Sequence, residues 1–433
     1  MNKQLLSKFC LYNQSFRQFS YKPIKRPSLS QLKDPQDKSS NGHCLKAPTL
    51  HECLVAKIKA VGPLPVAEYM KEALTNPNGG YYMSKDVLGQ KGDFITSPEI
   101  GQIFGELVAV WLYSEWQKIG SPKPFQIIEL GPGRGTLIQD VIRSLSQFGL
   151  SECISVHLVE VSPYLSQLQA RRLCCQYRNN EPTADERHYC RGETLSGIPI
   201  LWYKKVEDVP NHFSIVLAHE FFDALPIHKF QRTDGKWREI LVDYDAKAEK
   251  YQLVVARKET PMLKLFLANL DSKEQREHIE YSVLGHQILE HLSMRLEEHG
   301  GFGLIMDYGH NGNKGDTFRG FKEHQLHDPL IEPGSADLTA DVDFKQVKQM
   351  VEKDDRLITF GPVEQRVFLK KLGGDVRLDR LLKSAVPNVR SQIQSGYDML
   401  TDPKEMGSRF KFFSIFPSVL TDHLRKYPAI GFD

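Results

Sequence analysis

Downstream of Pro122 and Pro124, short apolar runs alternate with stretches whose apolar residues recur at helical spacing. Runs at 125–130 (FQIIEL), 154–159 (ISVHLV), 199–203, 214–218 (SIVLA) and 302–306 (FGLIM) read as strands, and 135–148 and 162–173 as helices between them. Strands alternating with helices predict parallel βαβ units with right-handed crossovers. The alternation breaks at 227–257, where His228 to Arg232, Trp237 to Tyr244 and Tyr251 to Ala256 read as antiparallel strands and Asp234-Gly235 as a turn. A helix over about 274–298 leads back into the strand before Asp307, and 356–360 and 410–416 are expected to add edge strands. Upstream, Leu50 to Thr75 is helical with a break at Gly62-Pro63. Ser97 is the expected N-cap of a helix whose apolar face carries Ile103, Phe104, Leu107, Val110, Trp111 and Trp116. The predicted architecture is an α/β, Rossmann-like, doubly wound sheet with an N-terminal helical region (46–121) and an antiparallel insertion within the main domain (122–433).

Composition narrows the class. A net charge of +2 over 433 residues argues against a nucleic-acid binder that relies on bulk positive charge, and no apolar run is long enough to span a bilayer. The seven cysteines include no CxxC pair at zinc-site spacing and suit free thiols in a reducing compartment. None of the fifteen histidines lies in HExxH, so no metal site is expected. The first 33 residues hold seven Lys or Arg and no Asp or Glu, as a mitochondrial transit peptide does. Arg17-Gln18-Phe19-Ser20 resembles a matrix-protease cleavage site, and residues 34–48 read as a polar linker, so residues 1–45 are expected to be leader and linker.

The most informative segment is Ile127-Ile128-Glu129-Leu130-Gly131-Pro132-Gly133-Arg134-Gly135-Thr136, between an apolar strand and a helix. Glycine belongs there because a β-carbon would block the tight turn and the backbone's approach to a ligand. A dinucleotide fold uses GxGxxG to face a pyrophosphate with a helix N-terminus. Here the spacing is GxGxG after an acid at the strand end, which resembles the first motif of S-adenosylmethionine-dependent methyltransferases. That ligand has no pyrophosphate, and Glu129 suits its cationic amino acid portion. The second strand ends in Val159-Glu160, where Glu160 falls in position to bind ribose hydroxyls. Its 29-residue separation from Gly131 exceeds the roughly 20 of the dinucleotide fingerprint, an excess the Gly149-to-Ser155 loop accommodates. A structural turn and a surface carboxylate are the bland alternatives.

The fourth strand runs into His219-Glu220-Phe221-Phe222-Asp223-Ala224-Leu225-Pro226, at the carboxyl end of the sheet where ligands bind. Glu220 and Asp223 are the candidate catalytic residues, since carboxylates pair with a guanidinium and accept its proton while aromatic rings pack on its face. The alternative is that the phenylalanines are core and the acids helix caps. The loop Gly92–Gly101 adds Asp93 and Thr96 as candidate cofactor contacts beside Ser97 and Glu99, and Asp337, Asp341 and Asp343 precede a helix, where they suit either substrate contact or the helix dipole.

Taken together, GDFITSPEIGQIFGE, IIELGPGRGTL, HLVEVSP, HEFFDALP, IMDYG and PGSADLTADVDF resemble the mitochondrial arginine methyltransferase family that assists complex I assembly, the MidA family. The resemblance runs from about residue 50 to the C-terminus. It implies a matrix enzyme that symmetrically dimethylates an arginine of a core complex I subunit. It also implies S-adenosylmethionine bound by Gly131, Gly133 and Glu160, and the HEFFDALP loop bordering the active site. Where the family is expected to read ANEFFDALP, this chain has Ala218-His219-Glu220. A nicotinamide-dependent oxidoreductase is the first rival and the GxGxG spacing counts against it. The second is an assembly chaperone that keeps the fold and works by binding.

Overall fold

A computed structural model describes residues 48–83, 96–181 and 186–432. The expected transit peptide and Asp93 lie outside the described residues. The main sheet contains β1 (Phe125–Leu130), β2 (Ile154–Val159), β3 (Gln176–Asn179), β4 (Cys190–Glu193), β5 (Pro199–Tyr203), β6 (Ser214–His219), β7 (Gly301–His310), β8 (Leu357–Glu364) and β9 (Phe410–Pro417). Their order is β8-β9-β7-β6-β1-β2-β5-β4-β3. The five strands from β7 to β5 are mutually parallel, so their carboxyl ends, and the loops that follow, gather along one edge.

Successive residues of β1 show why both faces must be covered. Ile127 points into a core with Leu107, Trp111, Leu137 and Phe302, while Ile128 points into a second core with Leu289, Leu292, Phe344 and Phe413. Trp111, on the helix Gln102–Lys118, is fully buried against the rings of Phe302 (5.5 Å), Phe416 (6.3 Å) and Phe368 (6.4 Å). This helix is thus a layer of the sheet's own core.

The structure departs from the sequence reading at several elements. β9 is not an edge strand: it lies antiparallel between β7 and β8, and Phe410, Phe412, Phe413, Ile415 and Phe416 give it two apolar faces, as an interior strand requires. β3 and β4 extend the other edge through residues too polar to signal a strand. The helix expected from 274 begins at Val283, capped by Ser282, because His278–Tyr281 pairs antiparallel with His228–Gln231. A further helix, Pro261–Asn269, has its N-terminal backbone capped by Thr260.

The inserted strands His228–Thr233, Lys236–Asp245 and Lys250–Val255 form a second sheet with His278–Tyr281 and Leu64–Pro65. Helices Leu50–Val61 and Val66–Thr75 pack there, burying Leu54, Tyr69 and Met70 with Val242 and Tyr251. A three-stranded sheet follows from Arg319–Lys322, Gln325–His327 and Asp337–Thr339, with Leu338 in the same core. Among the described residues, no helix is long and apolar enough to cross a membrane.

Truncating the ring that joins the helix to the sheet removes contacts that smaller residues cannot replace. Trp111→Ala is expected to cost about 3–5 kcal/mol of folding stability, read from the urea midpoint.

Candidate functional site

The glycine loop leaves β1 with Gly131, Gly133 and Gly135 at φ of 59°, 53° and 74°. All three are left-handed, a region that costs residues with a β-carbon roughly 1–2 kcal/mol. A β-carbon on Gly131 would also stand 2.8 Å from Cδ2 of Phe221, so the loop is fitted closely against the turn after β6. Glu129 is buried at the end of β1, and its Oε2 has no hydrogen-bond partner among the described residues. Burial and the charge of Glu160 push its carboxyl up to about 8.

Glu160 follows β2. Its Oε1 accepts the Ser162 N–H (2.7 Å) and its Oε2 the Gln169 amide (3.0 Å), while burial pushes its carboxyl up to about 7. Gln169 is a residue that the sequence reading missed. Fully buried on the helix Pro163–Leu173, it also donates to the Gly133 carbonyl (2.7 Å) and accepts from Trp202 Nε1 (2.8 Å). One amide thereby fixes the glycine loop and the acid together. An orphaned carboxylate oxygen and a cradle of left-handed glycines fit a ligand that brings an amine and a diol, as S-adenosylmethionine does.

The segment Thr96–Ile100 closes over this loop. Glu99 accepts from Thr136 and from Arg134 (3.5 Å) and Arg172 (3.4 Å), and Arg172 also donates to the Arg134 carbonyl (3.1 Å). Ser97 is not an N-cap: Thr96 occupies that place before the short helix Ser97–Ile100, and its side chain makes no cap bond. The Ser97 hydroxyl instead donates to Gln365 (3.3 Å), and its backbone N–H works against burial in holding the Glu220 carboxyl down.

After β6 the chain turns through Glu220, whose φ of 48° is again left-handed. Asp307 on β7, fully buried, holds this turn: its Oδ2 accepts the N–H groups of Phe221 (3.2 Å), Phe222 (2.9 Å) and Asp223 (3.3 Å). Glu220 Oε1 and Asp223 Oδ1 are buried with no hydrogen-bond partner among the described residues. Burial raises both acids: Glu220 goes well above the usual range, with the charges of Asp223 and Asp337 adding to it, and Asp223 rises to about 6, where Arg319 and Asp307 restrain it. Tyr82 brings a fourth acid to the group by donating to Asp337 Oδ1 (2.6 Å). Of the two aromatics, Phe222 is core and Phe221 abuts the glycine loop. Of the other acids, Asp341 pairs with Arg319 (2.7 Å) and Lys314 (2.7 Å), and Asp343 caps the helix Phe344–Val351.

His219, where an amide was expected, lies between the rings of Phe104 (5.1 Å) and Phe410 (6.1 Å). Burial pushes its imidazole down to about 3, so it is neutral, with Nε2 3.5 Å from Glu220 Oε1.

The raised acids have a measurable consequence. For each, the folded state holds a proton that the unfolded chain has already released, so stability falls as pH rises through the window between the two pKa values. For Glu129 that window runs from 4.5 to about 8. The ligand-free protein is expected to lose thermal stability from pH 5 to pH 8, by roughly a few degrees. Glu129→Gln should flatten the upper part of the curve, as read by the melting midpoint against pH.

Comparison with known proteins places this geometry. Residues 107–363 match the model of a family of S-adenosyl-L-methionine-dependent methyltransferases. The mitochondrial protein arginine methyltransferase NDUFAF7 homolog of Drosophila melanogaster is 50% identical over 431 residues, covering 96% of this chain and 97% of its own. The mitochondrial protein arginine methyltransferase NDUFAF7 of Homo sapiens is 52% identical over 369 residues, covering 84% and 82%. A crystal structure of a COG1565 superfamily member from Burkholderia thailandensis, bound to S-adenosyl-homocysteine, shares the fold with a TM-score of 0.69 at 21% identity, over 86% of this chain and 92% of that one. The chain thus belongs to the S-adenosyl-L-methionine-dependent methyltransferase family, alongside the mitochondrial protein arginine methyltransferases.

Proposed function

We propose that this protein is a mitochondrial matrix enzyme that methylates an arginine of a protein partner, giving symmetric dimethylation of a core subunit of respiratory complex I during its assembly. The observation that carries the arginine reading is the pair of buried carboxylate oxygens, Glu220 Oε1 and Asp223 Oδ1, that no donor within the described residues satisfies. They stand beside the glycine loop, which Phe221 touches. A guanidinium supplies planar N–H donors and the compensating charge that such a site lacks. Glu129, the three glycines and Glu160 would hold the methyl donor, with Thr96 and Asp93 as further contacts. The mitochondrial compartment rests on the names of the relatives and on the basic, acid-free first 33 residues, and the complex I partner on the resemblance of the sequence motifs.

S-adenosylmethionine supplies an electrophilic methyl group whose leaving group is a neutral thioether. The protein's own work is alignment and proton removal. Glu220 and Asp223 orient the guanidinium, and one of them takes the N–H proton as nitrogen forms its bond to carbon and the carbon–sulfur electrons return to sulfur. A carboxylate raised by burial is a better acceptor for that proton than one in water.

Two measurements test this. Calorimetric titration with S-adenosylmethionine should show binding that Gly133→Val abolishes, with NADH silent. Mass spectrometry of complex I subunits should show dimethylarginine that disappears with Gly133→Val, while Glu220→Gln or Asp223→Asn lowers kcat by roughly 10²–10⁴-fold with donor affinity kept. If Gly133→Val leaves complex I assembly intact, the protein acts as a non-catalytic chaperone.

A further inference from the structure

The three-stranded sheet beside the acidic site has one feature that methyl transfer itself does not use. Its register sets Leu326 opposite Phe321, and Phe321 opposite Asp337. Directly opposed residues share a face, so Asp337, Phe321 and Leu326 form one row across the sheet. The neighbouring register, His327 opposite Gly320 opposite Leu338, faces the other way, and Leu338 is buried there in the N-terminal core. The row therefore lies on the face turned from that core. It starts in the acidic group, where Asp337 accepts from Tyr82, and runs outward through half-buried Phe321 to Leu326, which is 74% exposed. Ile331, on the loop that follows, is also exposed. Arg319 lies 5.5 Å from the Phe321 ring and pairs with Asp341.

We infer that this row is the docking face for the polypeptide carrying the target arginine, and that it selects an apolar side chain near that arginine. The inference rests on the arginine reading above. Charge complementarity fixes one end of the occupant, since the buried acids Asp223, Asp307 and Asp337 and the half-buried Glu220 call for a cation. The register fixes the other end. Two strand spacings put Leu326 about 10 Å from Asp337, and an extended chain covers that distance in about three residues. A polypeptide whose arginine enters the acidic site and which crosses this face sets the residue about three positions away on Leu326 and Phe321. Its apolar side chain would cover the leucine that water now meets, which is the usual role of an exposed apolar patch beside a binding site.

Leu326→Glu tests the inference, because a side chain so exposed can be replaced without disturbing the core. The probes are short synthetic peptides with one central arginine, carrying either leucine or serine three residues to each side. Their binding to the full chain is measured by calorimetry in saturating S-adenosylhomocysteine. The leucine peptide should bind about tenfold more tightly than the serine peptide. Leu326→Glu should remove that difference while affinity for S-adenosylhomocysteine stays the same. Equal binding of the two peptides, no binding of either, or a preference that survives Leu326→Glu overturns the docking face. A leucine peptide with glutamine in place of arginine separates the two readings. If it binds as well as its arginine counterpart and the preference for leucine persists, the arginine reading fails and the docking face stands.

Discussion

Three consecutive backbone N–H groups turned onto one oxygen of Asp307 are the interaction on which the site depends. The carboxylate sits at the end of β7 with no exposure to water, so its charge is compensated mainly by those donors and by the N–H of Tyr308. In return it imposes a tight turn after β6 and holds Glu220 in a conformation that a free chain would avoid. Burial and the nearby charges of Asp223 and Glu220 in turn make Asp307 itself harder to ionise. The geometry of the turn is therefore set by one residue, and burial of the whole group sets its proton affinity. A cluster of acids built this way favours its protonated forms, and the positive charge of an entering cation would favour their ionisation.

Much of this was legible in the sequence, and the part that was not has physical causes. β1, β2, β5, β6 and β7 are buried on both faces and read as apolar runs, and the three glycines announced a left-handed loop. Glu220 and Asp223 were visible because they follow a strand whose carboxyl end had to face the ligand. Gln169 was not, because an amide in the middle of a helix carries no signal until the glycine loop and Trp202 are packed against it. Asp307 was legible as following a strand, but nothing local shows that its partners lie 84 to 86 residues upstream. Ser97 has the chemistry of an N-cap, yet the helix begins one residue earlier than its side chain requires. β9 reads as an edge because it comes last, whereas its rings on both faces place it inside.

The histidine at 219 shows how a departure from a family's pattern is absorbed. An imidazole is longer than an amide, and the aromatic walls of Phe104 and Phe410 receive its flat ring. Since burial keeps it uncharged, it adds no cation that would compete with a substrate for the acids. What changes is the set of hydrogen bonds open to Glu220, not the charge of the site.

The bond from Tyr82 to Asp337 spans 255 residues of chain. It belongs to a group that includes the strand pairing of Leu64 with Val242 and the ring of Phe410 against His219. A site closed by contacts this remote cannot form on a growing or partly translocated chain, since its first wall waits for a partner near the far end. The last steps of folding and the appearance of the acidic site are then one event, and loop-closure entropy governs when it occurs. Until then Asp307 and Asp337 lie far along the chain from Glu220 and Asp223, so the group of four acids waits for the whole of it.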